Sequence, residues 1–144
     1  MSMTFAYPGN VVFGVELFFL LKILVSLFSA ALFIQSGFDK VFDWSGNRSY
    51  INSIFEKTIL RPIVPLLMPT ITVLEVCAGL FSLAGAGLLI FNGQETIAAT
   101  GLLLGAVSVL SLFTGLRIAK DYGAAAAITP YFIFFAGALA LFAR

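Results

Sequence analysis

The chain has no histidine and a single cysteine, Cys77, among its 144 residues. Without histidine, the commonest general base, haem ligand and zinc ligand are all missing. One cysteine excludes an internal disulfide and any multi-thiolate cluster, so no metal site is expected. With no second cysteine or histidine to activate it, Cys77 reads as a small buried apolar residue. Charge is scarce as well. Asp, Glu, Lys and Arg make up 10% of the residues, against about 25% in a soluble domain, too few to cover a water-facing surface. Eight basic and seven acidic side chains leave a net charge of +1, so no global field attracts nucleic acid. No glycine-rich stretch precedes Lys-Ser or Lys-Thr, which excludes a phosphate-binding loop.

What fills the chain instead is apolar: 60% of residues are hydrophobic and mean hydropathy is +1.06. Disorder is excluded by that composition. A membrane-crossing helix needs about 20 mostly apolar residues, since ~30 Å of hydrocarbon is covered at 1.5 Å per residue. Four stretches meet the requirement, at about 17–39, 71–91, 96–119 and 123–143, in one transmembrane domain over 1–144. Lys22 and Lys40 bracket the first. They stand about 27 Å apart along a helix, and both ammonium groups are expected to snorkel to opposite interfaces. Pro69 is expected to open the second span and Asn92-Gly93 to close it. Pro130 interrupts the fourth, where the lost hydrogen bond to Ala126 predicts a kink.

Two segments do not read as plain spans. Residues 11–21 (VVFGVELFFLL) are apolar but contain Glu16. The preferred reading extends the first helix through them; the other lays them in the interface or against a partner. Residues 47–61 predict an interfacial helix, with Ile51, Ile54, Phe55 and Thr58 on one face and Asn52, Ser53, Glu56 and Lys57 on the other. Asn47 or Ser49 would cap it. Pro62, Pro65 and Pro69 are expected to forbid regular helix until the second span. The fold class expected is thus all-α: an integral membrane four-helix bundle with a short interfacial helix between spans one and two.

Loop charge predicts orientation. Lys40, Arg48, Lys57, Arg61, Arg117 and Lys120 share one side, against Lys22 and Arg144 on the other. The positive-inside rule puts the charged loops in the cytoplasm and both termini outside. The first ten residues lack a basic stretch, which argues against a cleaved signal peptide.

Lipid gives helices no hydrophobic reason to associate, so small residues must let their backbones approach. Ala78, Gly79, Ser82, Gly85 and Ala86 in span two, and Gly101, Gly105 and Ser108 in span three, predict a tight antiparallel hairpin. The aromatic residues of span four circle that helix and read as lipid-facing bulk and core filler.

An ionisable residue inside a span is costly and a functional candidate by default. Glu75 is the sharpest case, expected about one turn inside span two. The bundle is expected to gather it with Asp39 and Asp121, and with Lys40, Arg117 and Lys120, at one depth. Three acids against three bases would suit a desolvated ion-pair network, since a lone buried carboxylate would protonate. Such a cluster is either a lock holding the helices together or a head-group, quinone or proton site. Glu16 and Lys22 fall on different faces and should not pair; Arg144 or a partner protein is the expected companion of Glu16.

SGFDKVFDW at 36–44, LEVCAGLFSLAG at 74–85 and RIAKDYGAAA at 117–126 together resemble the DoxX-like family of small four-span bacterial membrane proteins, over about residues 20–143. The family pattern falls on Gly37, Lys40, Glu75, Arg117 and Asp121. Lys22 stands where the family often has arginine. The resemblance implies a four-span fold and a link to membrane redox or assembly systems, its founding members accompanying a thiosulfate:quinone oxidoreductase.

Three functions compete. The first is a non-catalytic accessory or structural subunit of a larger inner-membrane complex, respiratory or redox-linked, partnered by lipids and other membrane subunits. The second is a quinone-interacting subunit in which Glu75 and its basic neighbours handle a proton; a quinone or a bound lipid is the only cofactor either reading would need. The third, a small transporter or channel, requires an interior polar stripe, which the spans are expected to lack away from the cytoplasmic end.

Overall fold

A computed structural model describes residues 11–143. The N-terminal ten residues and Arg144, on which the leader and Glu16-partner expectations rest, lie outside them. Four long apolar helices pack against one another, and the protein is a multi-pass membrane protein of the four-helix-bundle class. They are α1 (Leu17–Phe42), α3 (Val64–Asn92), α4 (Thr96–Ile118) and α5 (Tyr122–Phe142); the short α2 (Trp44–Phe55) joins the first two. The chain-order neighbours α1–α3, α3–α4 and α4–α5 make the main interfaces, and α5 is the least buried span.

The first helix takes up residues 17–21 as expected but goes no further. Val11–Val12 and Val15–Glu16 pair as a two-residue hairpin around Phe13-Gly14. Both turn residues have positive φ, at 51° and 80°, the mirror-image turn that matches strand twist. The glycine permits it, and the β-branched valines on each side favour extended backbone over helix.

The connection after span one also differs from expectation. α2 starts at Trp44, with the Asp43 side chain accepting from the Gly46 amide at 3.2 Å. Asn47 is not the cap; its side-chain amide donates to the carbonyls of Asp43 and Asp39. The amphipathic face is as read: Ile51, Ile54, Phe55 and Thr58 are half-buried, whereas Asn52, Ser53, Glu56 and Lys57 are exposed.

α3 begins seven residues before the expected start. Pro65 sits in its first turn, where the missing N–H would have had no helical partner. Pro69 costs one further bond. Nearby, the Thr70 and Thr72 hydroxyls donate to the Leu66 and Met68 carbonyls at 2.8 Å. Three prolines therefore restrict the path without preventing a helix. Glu75 lies about 16 Å along α3 from Val64 rather than one turn inside it. The helix ends at Gly93 in the left-handed conformation, as Asn92-Gly93 suggested. α5 continues as helix through Pro130.

The buried positions of α3 include Val64, Met68, Ile71, Glu75, Ala78, Ser82, Gly85 and Leu89. They alternate steps of four and three, the spacing of a coiled-coil seam. Glycines set how closely the seam approaches its neighbours. A Cβ on Gly79 would lie 2.8 Å from the Ile34 backbone nitrogen of α1, and one on Gly101 would lie 2.5 Å from the Ser82 nitrogen. One on Gly85 would strike the Ala98 backbone. Gly105 differs from its expected role: the space over it is filled by the rings of Phe33 and Phe135, from α1 and α5. Those two rings, with Ala78, Leu102, Val109 and Ala138, form the apolar centre.

The α4–α5 turn is a helix stop built around Lys120. Asp121 N–H donates to the Leu116 carbonyl and Lys120 N–H to the Arg117 carbonyl, the paired bonds of a Schellman motif. Lys120 takes the left-handed position at φ 59°, which glycine adopts without steric cost. Lys120→Gly should therefore stabilise the bundle by about 0.5–1 kcal/mol, measured as a rise in thermal midpoint in detergent.

Candidate functional site

The buried charge stands where α1 and α3 cross. The Lys40 ammonium meets Glu75 Oε2 at 2.7 Å, with Glu75 1% and Lys40 14% exposed at the side chain. Ser36, one turn before Lys40, donates its hydroxyl to the same carboxylate oxygen at 3.2 Å and accepts from Lys40 Nζ at 2.9 Å. The three groups close a ring of hydrogen bonds. Gly37 brings the helices close enough for this: a Cβ there would lie 2.7 Å from the Val76 side chain.

The structure thus reduces the expected six-residue cluster to one ion pair and a hydroxyl. Among the described residues, Lys40–Glu75 and Lys22–Glu95 are the only ion pairs within 4 Å. Asp39 is exposed, and its carbonyl accepts from the Asp43 amide. Arg117 is also exposed and stacks over the Tyr122 ring at 4.5 Å. Asp121 caps α5 by accepting from the Ala124 amide at 3.1 Å. Lys120 lines a groove of about 820 Å³ together with Ser53, Lys57 and Thr58. Arg117, Lys120 and Asp121 stand at the α4–α5 turn, from which the longer α3 carries Glu75 away, and Asp39, next to Lys40 on α1, is exposed and outside the pair. Cys77 is half-buried and free.

Neither bracketing lysine reaches outward as expected. Lys22 turns into the opposite end of the bundle, meeting Glu95 at 2.6 Å and lying 5.4 Å from the centre of the Phe142 ring. A carboxylate within reach makes pairing cheaper than extending a long side chain to the interface.

Between the lysines runs a polar seam that the sequence reading did not find. Lys22, Ser26, Ser29, Phe33, Ser36 and Lys40 follow steps of four and three along α1, and Ser26 and Ser29 are fully buried. Ser29 meets Ser82 of α3 across the interface at 2.8 Å. Ser26 donates to the Lys22 carbonyl at 2.7 Å. Ser108 of α4 is fully buried and its hydroxyl has no partner among the described residues. Gly101 lies against Ser82; one heptad onward along α4 and one heptad back along antiparallel α3 bring Ser108 level with Glu75. A search of α1 for a 3.5-residue polar repeat would have revealed the seam, because a few serines of near-neutral hydropathy hardly lower the average of an apolar run.

The chain matches no family model, no curated protein and no solved structure.

Proposed function

We propose that the protein is a small non-catalytic accessory subunit of a larger bacterial inner-membrane complex, redox-linked, with its charged loops in the cytoplasm. The observation that carries this reading is the internal satisfaction of Glu75: its carboxylate is met by Lys40 and Ser36 of its own chain. Two grooves, of about 820 and 460 Å³, lie at the helix ends, and Glu75 lines neither. All five residues that carry the DoxX-like resemblance have architectural work here. Gly37 sets the α1–α3 approach, Lys40 and Glu75 pair across it, and Arg117 and Asp121 build the turn into α5. Native electrophoresis of its own membranes in mild detergent should show the chain migrating with companion subunits. Migration alone near 15.4 kDa would reject the proposal.

The second reading, a quinone-interacting subunit, draws on the partial exposure of Lys40, whose ammonium would donate to a ring carbonyl while Glu75 hands on a proton that reduction of the ring consumes, another subunit supplying the electrons. Glu75→Gln should then abolish electron-transfer turnover of the assembled complex while leaving it assembled.

A further inference from the structure

The two ion pairs stand at opposite ends of one seam. From the Lys22 end, Lys22–Glu95 is followed by Ser26, then by Ser29–Ser82, and last by Ser36, Lys40 and Glu75 with Ser108 at their level. Hydroxyls suit proton passage, since each accepts a proton at oxygen and releases its own. One layer interrupts them. Phe33 and Phe135, with ring centres 5.4 Å apart, fill the space over Gly105 between Ser29 and Ser36. The gap they close is about 10 Å along α1. Its walls are apolar, so water has no partners there and the layer stays dry. A hydronium crossing it unsolvated would meet a prohibitive cost. The unpartnered Ser108 hydroxyl is the second sign: a buried polar group without a protein partner is satisfied by water or left at a cost of about 1–3 kcal/mol.

We propose that this seam is a gated proton path across the membrane, in which the Phe33–Phe135 layer is the closed gate and Glu75 the carboxylate that takes up and releases the proton. In the open state, water joins Ser36 to Ser29. Lys40 gives one ammonium proton to Glu75 and is reprotonated from the water at its end of the bundle, and the proton on Glu75 passes by successive hydroxyl and water transfers toward Glu95. Each relay group gives up one proton for each it receives, so the seam returns to its starting state once its hydroxyls reorient. The proposal needs the spanning bundle but no companion subunit, so it stands or falls separately from the accessory-subunit reading.

The test uses the purified full chain in sealed liposomes holding the pH dye pyranine, with proton entry driven by a potassium gradient and valinomycin. Phe33→Ala should raise the rate of internal acidification about tenfold over protein-free vesicles. Glu75→Gln in the same background should return it to the protein-free rate, while Glu75→Asp retains it. Phe135→Ala opens the gate from the other side and should behave as Phe33→Ala does. Acidification at the protein-free rate in both folded aromatic variants overturns the proposal and leaves the serines as packing contacts only. A raised rate that ignores Glu75, or comes with sodium leakage, overturns it too, by showing a nonspecific hole.

Discussion

Lys40→Ala should destabilise the bundle by about 3–5 kcal/mol, because it leaves Glu75 buried with its charge uncompensated. Ser36 would remain as a donor, but one hydroxyl does not neutralise a carboxylate in a low-dielectric setting. The double change Lys40→Met with Glu75→Leu should recover most of the loss, since well-packed apolar side chains replace a buried pair at little net cost. Lys22→Ala supplies the contrast. Its partner Glu95 keeps 42% of its side chain exposed, so water takes over much of the role of the lysine and the loss should stay within about 1 kcal/mol. Unfolding of the four proteins in mixed detergent micelles measures these differences. Equal losses for Lys40→Ala and Lys22→Ala would show that burial does not govern the Lys40–Glu75 pair.

Gly85→Ala and Gly101→Ala carry the second large effect. At both positions the new methyl group meets backbone: Ala98 in one case, the Ser82 nitrogen at 2.5 Å in the other. Backbone cannot rotate aside, so α3 and α4 must separate, and each change should cost about 1–3 kcal/mol. Gly105→Ala should cost less, because its neighbours are the ring edges of Phe33 and Phe135, which can tilt. Gly87→Ala is the control: nothing lies within 4 Å of its added Cβ, and alanine is the better helix former. Thermal midpoints should fall for Gly85→Ala and Gly101→Ala, fall less for Gly105→Ala, and hold or rise for Gly87→Ala. A loss at Gly87 matching that at Gly85 would reject close packing as the cause.

The Lys40–Glu75 pair, the serine seam and the glycine contacts belong to one device. Small residues draw the helices together, and helices that close can share hydrogen bonds between short side chains. Ser29 reaches Ser82 where Gly79 lets α1 and α3 come close. In lipid such bonds are individually modest, about 0.6 kcal/mol on average. Their placement therefore matters more for where polar groups can stand in the membrane than for total stability.

The sequence by itself determined the number of spans, the approximate limits of three of them, the apolar face of α2 and the small residues that pack. These follow from local composition and from periods of 3.6 residues, which need no knowledge of neighbours. Glu75 was also legible as the residue needing an explanation, because a carboxylate in an apolar run is rare and costly. The tertiary structure alone decided who answers it. Five charged residues looked like companions while α3 was taken to start at Ile71; a start at Val64 moves Glu75 about two turns further inside, beyond Arg117 and Asp121 and level with Ser36 and Lys40. Whether Lys22 points to an interface or into the bundle depended likewise on Glu95, 73 residues away in the chain. Partner choice is a property of register between helices, and register is set by which glycine lies against which backbone.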